Sequence, residues 1–146
     1  MPGVYTIDVS VFLNAFIGAE PGHTASAQLL AELHRVGAPL VEPTLLLPEV
    51  AGVIARVHGD ATLAQRFAAE LTQLPTVQLI ALDSILAQQA LELAAANKLR
   101  GADAVYAAVA QRFAAVLITR DREQNDRLAG AVTVRTPEEE LQQLSS

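Results

Sequence analysis

Short apolar runs alternate with longer segments of helical periodicity along this chain. Val4-Tyr5-Thr6-Ile7 is rich in β-branched and aromatic residues, reads as a buried strand, and stops on Asp8. A short helix over Val11 to Ile17 follows, with Ser10 as its N-cap. After the turn Glu20-Pro21-Gly22, helical spacing predicts a helix from about His23 to Val36, with Gly37 ending it. Leu40 to Glu42 is a brief strand. Thr44 then caps a helix that reaches His58 and closes on Gly59, with Pro48 in the first turns, where a lost donor costs least. Asp60 caps the next helix, which ends near Pro75. Val77 to Leu82 is a strand, Asp83 caps a helix to about Asn97, and Lys98 to Gly101 is a loop. Ala102, Val105, Tyr106, Val109, Ala110 and Phe113 recur at helical spacing over Ala102 to Ala114. Ala115 to Thr119 is a strand, Asp121 opens a short helix, and Ala131 to Val134 is the last strand. Thr136-Pro137-Glu138-Glu139 is a capping box with Pro at the first helical position, starting a terminal helix.

This alternation predicts an α/β fold: a mostly parallel five-stranded sheet with helices on both faces and right-handed crossovers. The 146 residues carry no internal repeat, low-complexity tract or linker, and a single domain over 1–146 is expected.

Composition narrows the function classes. With 51% hydrophobic residues the chain can bury a core, and with no cysteine it has neither a disulfide framework nor a Cys-based zinc site. The N-terminus lacks a basic region followed by an apolar one, and no apolar run reaches the roughly 20 residues of a spanning helix. A soluble cytoplasmic protein without membrane contact is the expectation. Net charge is -6, from 10 basic and 16 acidic residues, which does not advertise a polyanion partner. Yet Lys98, Arg100, Arg112, Arg120, Arg122 and Arg127 cluster in one stretch, which favours such a partner locally.

That stretch also holds Asp103 and Asp121. Each of the acidic residues Asp8, Glu49, Asp103 and Asp121 has an ordinary reading as a helix cap or a first-turn residue beside the helix dipole. Glu49 is the most conspicuous, because its neighbours from Leu45 to Ile54 are nearly all apolar. The set is worth more than its members. Asp8 and Asp121 end strands, Glu49 and Asp103 start helices that follow crossovers, and ligands in open α/β sheets bind beyond the carboxyl ends of strands. Converging carboxylates repel, and a hard divalent cation relieves the repulsion. Mg²⁺ and Mn²⁺ suit oxygen ligands and leave room for water and phosphate oxygens, which licenses metal-assisted hydrolysis of a phosphodiester.

Four segments resemble the motifs of PIN domains in order: Thr6-Ile7-Asp8-Val9-Ser10-Val11-Phe12-Leu13, Leu47-Pro48-Glu49-Val50, Gly101-Ala102-Asp103-Ala104-Val105-Tyr106-Ala107-Ala108-Val109-Ala110 and Leu117-Ile118-Thr119-Arg120-Asp121. Order, separation and length are similar to those of VapC-type toxin ribonucleases of type II toxin–antitoxin systems. The resemblance implies a PIN-like three-layer sandwich and an Mg²⁺- or Mn²⁺-dependent endoribonuclease. It also implies inhibition by a VapB-type antitoxin and a homodimer. By motif position Asp8, Glu49, Asp103 and Asp121 match the acidic quartet that would bind metal and carry catalysis, and Ser10 and Thr119 match accessory hydroxyls. Asp126 could add a further carboxylate, although a solvated helix position beside Asn125 and Arg127 explains it better.

Arg100, Arg120 and Arg122 are the candidates for RNA phosphate contact, because each lies within three residues of a proposed ligand; such contacts would position RNA without reading its sequence. His23, His34 and His58 show no metal-ligand spacing, and without Trp the chain has few aromatic side chains free for base stacking. Two alternatives compete. A haloacid-dehalogenase-type phosphatase also begins with a strand ending in Asp but needs a second Asp two residues on, where this chain has Ser10. A catalytically idle PIN-fold interaction module would keep the fold without the chemistry. A response-regulator receiver fits less well, because the early acidic pair and late Lys are missing.

Overall fold

The computed structural model describes residues 3–146; Met1 and Pro2, the first positions of the expected domain, lie outside the described residues. The elements run β1 (Tyr5–Ile7), α1 (Val9–Phe16), α2 (His23–Arg35), β2 (Leu40–Pro43), α3 (Leu46–His58), α4 (Ala61–Gln73), β3 (Val77–Ile80), α5 (Ser84–Asn97), α6 (Gly101–Arg112), β4 (Val116–Ile118), α7 (Arg122–Arg127), β5 (Val134–Arg135) and α8 (Pro137–Leu144). All strand pairings are parallel, in the order β3-β2-β1-β4-β5. The expected α/β architecture is present.

That order carries the functional consequence. From β1 the chain steps outward to β2 and β3, then returns to lay β4 against the other side of β1. The reversal puts a topological switch point between β1 and β4, where the following loops diverge and leave a crevice. The register Ile7↔Ile118 sets Asp8 beside Thr119, and the Asp8 amide donates to the Ile118 carbonyl at 2.9 Å.

Successive strand residues point to opposite faces. Tyr5, Thr6 and Ile7 are all buried, so β1 is covered on both sides, as a central parallel strand should be. Helix α6 lies against β1, β2 and β4, with α5 packed on it. Its run Ala104 to Ala110 is buried, and the small alanines allow close approach to the sheet. Elsewhere α3 packs on α4, α1 on α2, and α2 on α8.

Several boundaries differ from expectation for identifiable reasons. Asp8, not Ser10, is the N-cap of α1, because the Ser10 hydroxyl is taken by the Arg120 amide at 3.2 Å. Thr44 does not cap α3: its amide extends the β2–β3 ladder to the Ile80 carbonyl, and the helix starts two residues later without a side-chain cap. The last strand is Val134–Arg135, and Ala131 and Val132 instead follow the end of α7. The caps at Asp60, Asp83 and Asp121 and the Thr136–Glu139 capping box all form.

Candidate active site

Four carboxylates from four parts of the chain line one pocket of about 320 Å³ at the β1/β4 switch point. Asp8, Glu49, Asp103 and Asp121 share it with Val9, Ser10, Arg100 and Ala102. Asp8 follows β1, Asp121 follows β4, and Glu49 and Asp103 stand in the first turns of α3 and α6. The ordinary cap role and the pocket role prove compatible. Asp8 Oδ2 caps α1 by accepting from the Ser10 amide at 3.1 Å while its carboxylate faces the pocket. Asp121 divides its oxygens: Oδ1 accepts from the Glu123 and Gln124 amides, capping α7, and Oδ2 accepts from Arg100.

The two candidate accessory hydroxyls lie beside the pocket. Thr119 Oγ1 is buried, donates to Asp8 Oδ2 at 3.5 Å and accepts from the Asp121 amide at 3.1 Å, tying the Asp8 carboxylate and the Asp121 main chain to one side chain. Ser10 lines the pocket and anchors the Arg120 amide.

Electrostatics mark the site. Burial pushes the Asp8 carboxyl up to about 6; the Ser10 bonds oppose this, and the neighbouring Asp103 and Glu49 charges add to it. Burial also raises Glu49, with the Tyr106 bond opposing and Asp103 reinforcing. At Asp8 and Glu49 the surroundings thus oppose the charged form, a cost that a cation in the pocket would offset.

Two residues that the sequence did not single out stand behind the quartet. Tyr106, one helical turn from Asp103, donates its hydroxyl to Glu49 Oε1 at 2.8 Å. Glu42 on β2 is completely buried; Oε1 accepts from the Ile7 amide at 2.6 Å, and Oε2 has no partner. Burial raises its pKa well above the carboxylate range, and the nearby Asp8 charge adds to this. The only available signal was spacing: Tyr106 shares a helix face with Asp103. A Glu in a four-residue strand gives no comparable sign.

The candidate phosphate-binding arginines separate. Arg100 is at the pocket, donating from Nε to Asp103 Oδ2 and from Nη2 to Asp121 Oδ2, both at 3.2 Å. Arg120 turns away and forms a paired contact with Glu138 of α8 at 2.9 and 3.0 Å. It packs so tightly on Gly22 that a Cβ there would lie 2.2 Å from its Nη2, and Gly22 also has φ +81. Arg122 and Asp126 line a different polar depression with Asn125, Thr136 and Glu139. Asp126 is therefore not brought to the quartet.

An all-oxygen donor set with no sulfur and no imidazole fits Mg²⁺ or Mn²⁺ in kind. Among the described residues, no three Asp, Glu or His side chains stand close enough to share one ion as they lie. Two of the four carboxylates are instead engaged by the Arg100 guanidinium.

Residues 5–129 match the PIN domain family. The chain belongs to that family. No curated protein matches the chain at the level of sequence. Among solved structures, the PIN chain is similar to VapC20 of Mycobacterium tuberculosis, described as a sarcin–ricin loop cleaving toxin. That match has a TM-score of 0.72 and 20% identity over 90% of this chain and 98% of that one. A toxin–antitoxin complex from Klebsiella pneumoniae gives a TM-score of 0.66 and 23% identity, covering 91% and 97%. VapBC-1 from nontypeable Haemophilus influenzae gives 0.67 and 17%, covering 92% and 98%. At these identities the likeness speaks for the fold. Membership of the PIN family removes the phosphatase and receiver alternatives. No helix among the described residues is long and apolar enough to cross a membrane.

Proposed function

We propose that residues 1–146 form one PIN domain acting as a metal-dependent endoribonuclease, the toxin of a VapBC-type pair. The reading rests on one observation: Asp8, Glu49, Asp103 and Asp121 line a single pocket at the switch point. Asp8, Asp103 and Asp121 would hold Mg²⁺ or Mn²⁺, and Glu49, steered by Tyr106, would complete the acidic lining. When bound, the ion would activate water and offset charge on the phosphate. The chain's own residues do the rest. Thr119 and the Ser10 amide orient Asp8, the α7 cap fixes Asp121, and Arg100 at the rim supplies a guanidinium suited to backbone phosphate.

The toxin assignment is supported by the solved toxin–antitoxin complexes that share the fold. A VapB-type antitoxin is the corresponding partner. The apolar cleft of about 250 Å³ between Phe12, Phe16, Leu30, Phe67 and Leu74 offers a surface for it. Exposed Val57 on α3 and Ile85 and Leu91 on α5 are apolar surface available to a homodimer. Cytoplasmic RNA is the proposed substrate compartment and class.

The test is RNA cleavage with Mg²⁺ or Mn²⁺, with chelator, and with Asp8→Asn. Cleavage should require the ion and fall at least about 100-fold in the folded variant, a loss typical of removing one key electrostatic group. Undiminished cleavage by folded Asp8→Asn protein would overturn the reading. The lack of a preformed three-ligand cluster among the described residues favours a second reading, the idle interaction module. Calorimetric titration with Mn²⁺ separates them: an active centre binds the ion and loses it on Asp103→Asn, whereas an idle module gives no such binding.

A further inference from the structure

The acidic pocket already contains a cation. Arg100 is the N-cap residue of α6, but its side chain makes no capping bond and is 78% exposed. Its guanidinium's only hydrogen-bond partners among the described residues are Asp103 Oδ2, three positions on, and Asp121 Oδ2, 21 positions on. The inner carboxylates are treated differently. Asp8 is met by the Ser10 amide and the Thr119 hydroxyl, and Glu49 by the Tyr106 hydroxyl, all uncharged donors.

We infer that Arg100 is an exchangeable counter-ion: it holds Asp103 and Asp121 together until a divalent cation displaces it, and the freed guanidinium then takes a backbone phosphate of the RNA. This rests on the pocket being a metal centre. Competition follows from which oxygens are free. Asp121 Oδ1 is committed to the α7 cap, so Oδ2, the atom Arg100 occupies, is the oxygen left for an ion. A guanidinium cannot step aside by losing its proton, because it stays charged at all relevant pH values. It can leave by rotation, since an exposed ion pair on a long side chain is weakly held and screened by salt. The arrangement also accounts for the absence of a ready-made three-ligand cluster among the described residues. Linkage then makes the two ligands help each other: an ion that frees Arg100 raises phosphate affinity, and phosphate that captures Arg100 raises ion affinity by the same factor.

The experiment is titration of the full chain with MgCl₂ and MnCl₂ by calorimetry, for wild type, Arg100→Gln and Arg100→Lys. Arg100→Gln should bind either ion about three- to tenfold more tightly than wild type, a modest coupling for competing ligands, and Arg100→Lys should fall between. In wild-type protein labelled with ¹⁵N, the Arg100 Nε–H resonance should move toward its solvent-exposed position as Mg²⁺ is added. A short RNA with methylene in place of its bridging oxygens keeps its charge but resists hydrolysis. By anisotropy it should bind wild type more tightly with Mg²⁺ than without, and Arg100→Gln should lose most of that gain. Equal ion affinity in wild type and Arg100→Gln, or an unmoved Nε–H signal at saturating Mg²⁺, overturns the inference and leaves the metal centre standing. Failure of every variant to bind either ion overturns both.

Discussion

Two acidic regions of this molecule have opposite logic. At the C-terminal corner each carboxylate is answered. Glu140 is buried, yet one oxygen accepts from the Tyr5 hydroxyl and the other from Arg135 at 2.6 Å. Glu138 is paired with Arg120, and Glu139 closes the capping box with Thr136. At the switch-point pocket four carboxylates meet one arginine, and that arginine is mostly exposed. The corner is complete as folded; the pocket is stable only to the extent that protons or cations are supplied from outside. Acidic composition alone does not separate the two; the corner's arginines are partly buried against their carboxylates, and the pocket's lies mostly in solvent.

The difference implies mutational effects of opposite sign. The largest should come from the corner. Arg135→Met strands Glu140, which is 3% exposed, and should destabilise the fold by about 3 kcal/mol, read as a lower urea midpoint at unchanged slope. A change below 1 kcal/mol would mean that Tyr5 alone satisfies Glu140.

At the pocket, losing a charge should stabilise. The Asp8 carboxyl titrates at about 6 when folded, against an ordinary value of 3.8. Between these values the folded chain keeps a proton the unfolded chain has lost, so metal-free stability falls as pH rises through that window and stays lower above it. Asp8→Asn should remove the Asp8 share of that fall, leaving the shares of Glu42 and Glu49, and add about 2 kcal/mol above pH 6, checked by chelator-treated melts across pH. A flat pH profile in wild type would break the comparison. The smallest effect should be at the rim of the corner: Glu138→Gln leaves a half-exposed pair broken and should cost under about 1 kcal/mol, erased by high salt.

Much of this was legible in the sequence because local and tertiary signals agree. The strand ending at Asp8 and the Thr136-Pro137-Glu138-Glu139 box each read correctly from a few neighbouring residues. So did the buried face of α6. The quartet was legible as a set because each member ends a strand or begins a helix at the carboxyl edge. What escaped was decided across the sheet. Ser10 has the chemistry of an N-cap, but its hydroxyl serves a residue 110 positions away. Arg120 and Arg122 adjoin Asp121 in sequence but diverge from the pocket, because the β4–α7 turn directs Arg120 onto Gly22 and α8. Glu42 replaces a main-chain acceptor for Ile7 between neighbouring strands, and nothing in its local sequence distinguishes that from a surface carboxylate.

The position of β1 in the sheet has a temporal consequence. It precedes the other four strands along the chain but sits third in the order β3-β2-β1-β4-β5, so one flank stays bare until β4 emerges more than 100 residues later. Such long-range pairing delays closure during folding. A growing chain therefore holds Asp8 and Glu49 long before Asp103 and Asp121 exist to face them, and the pocket forms only when β4 docks on β1.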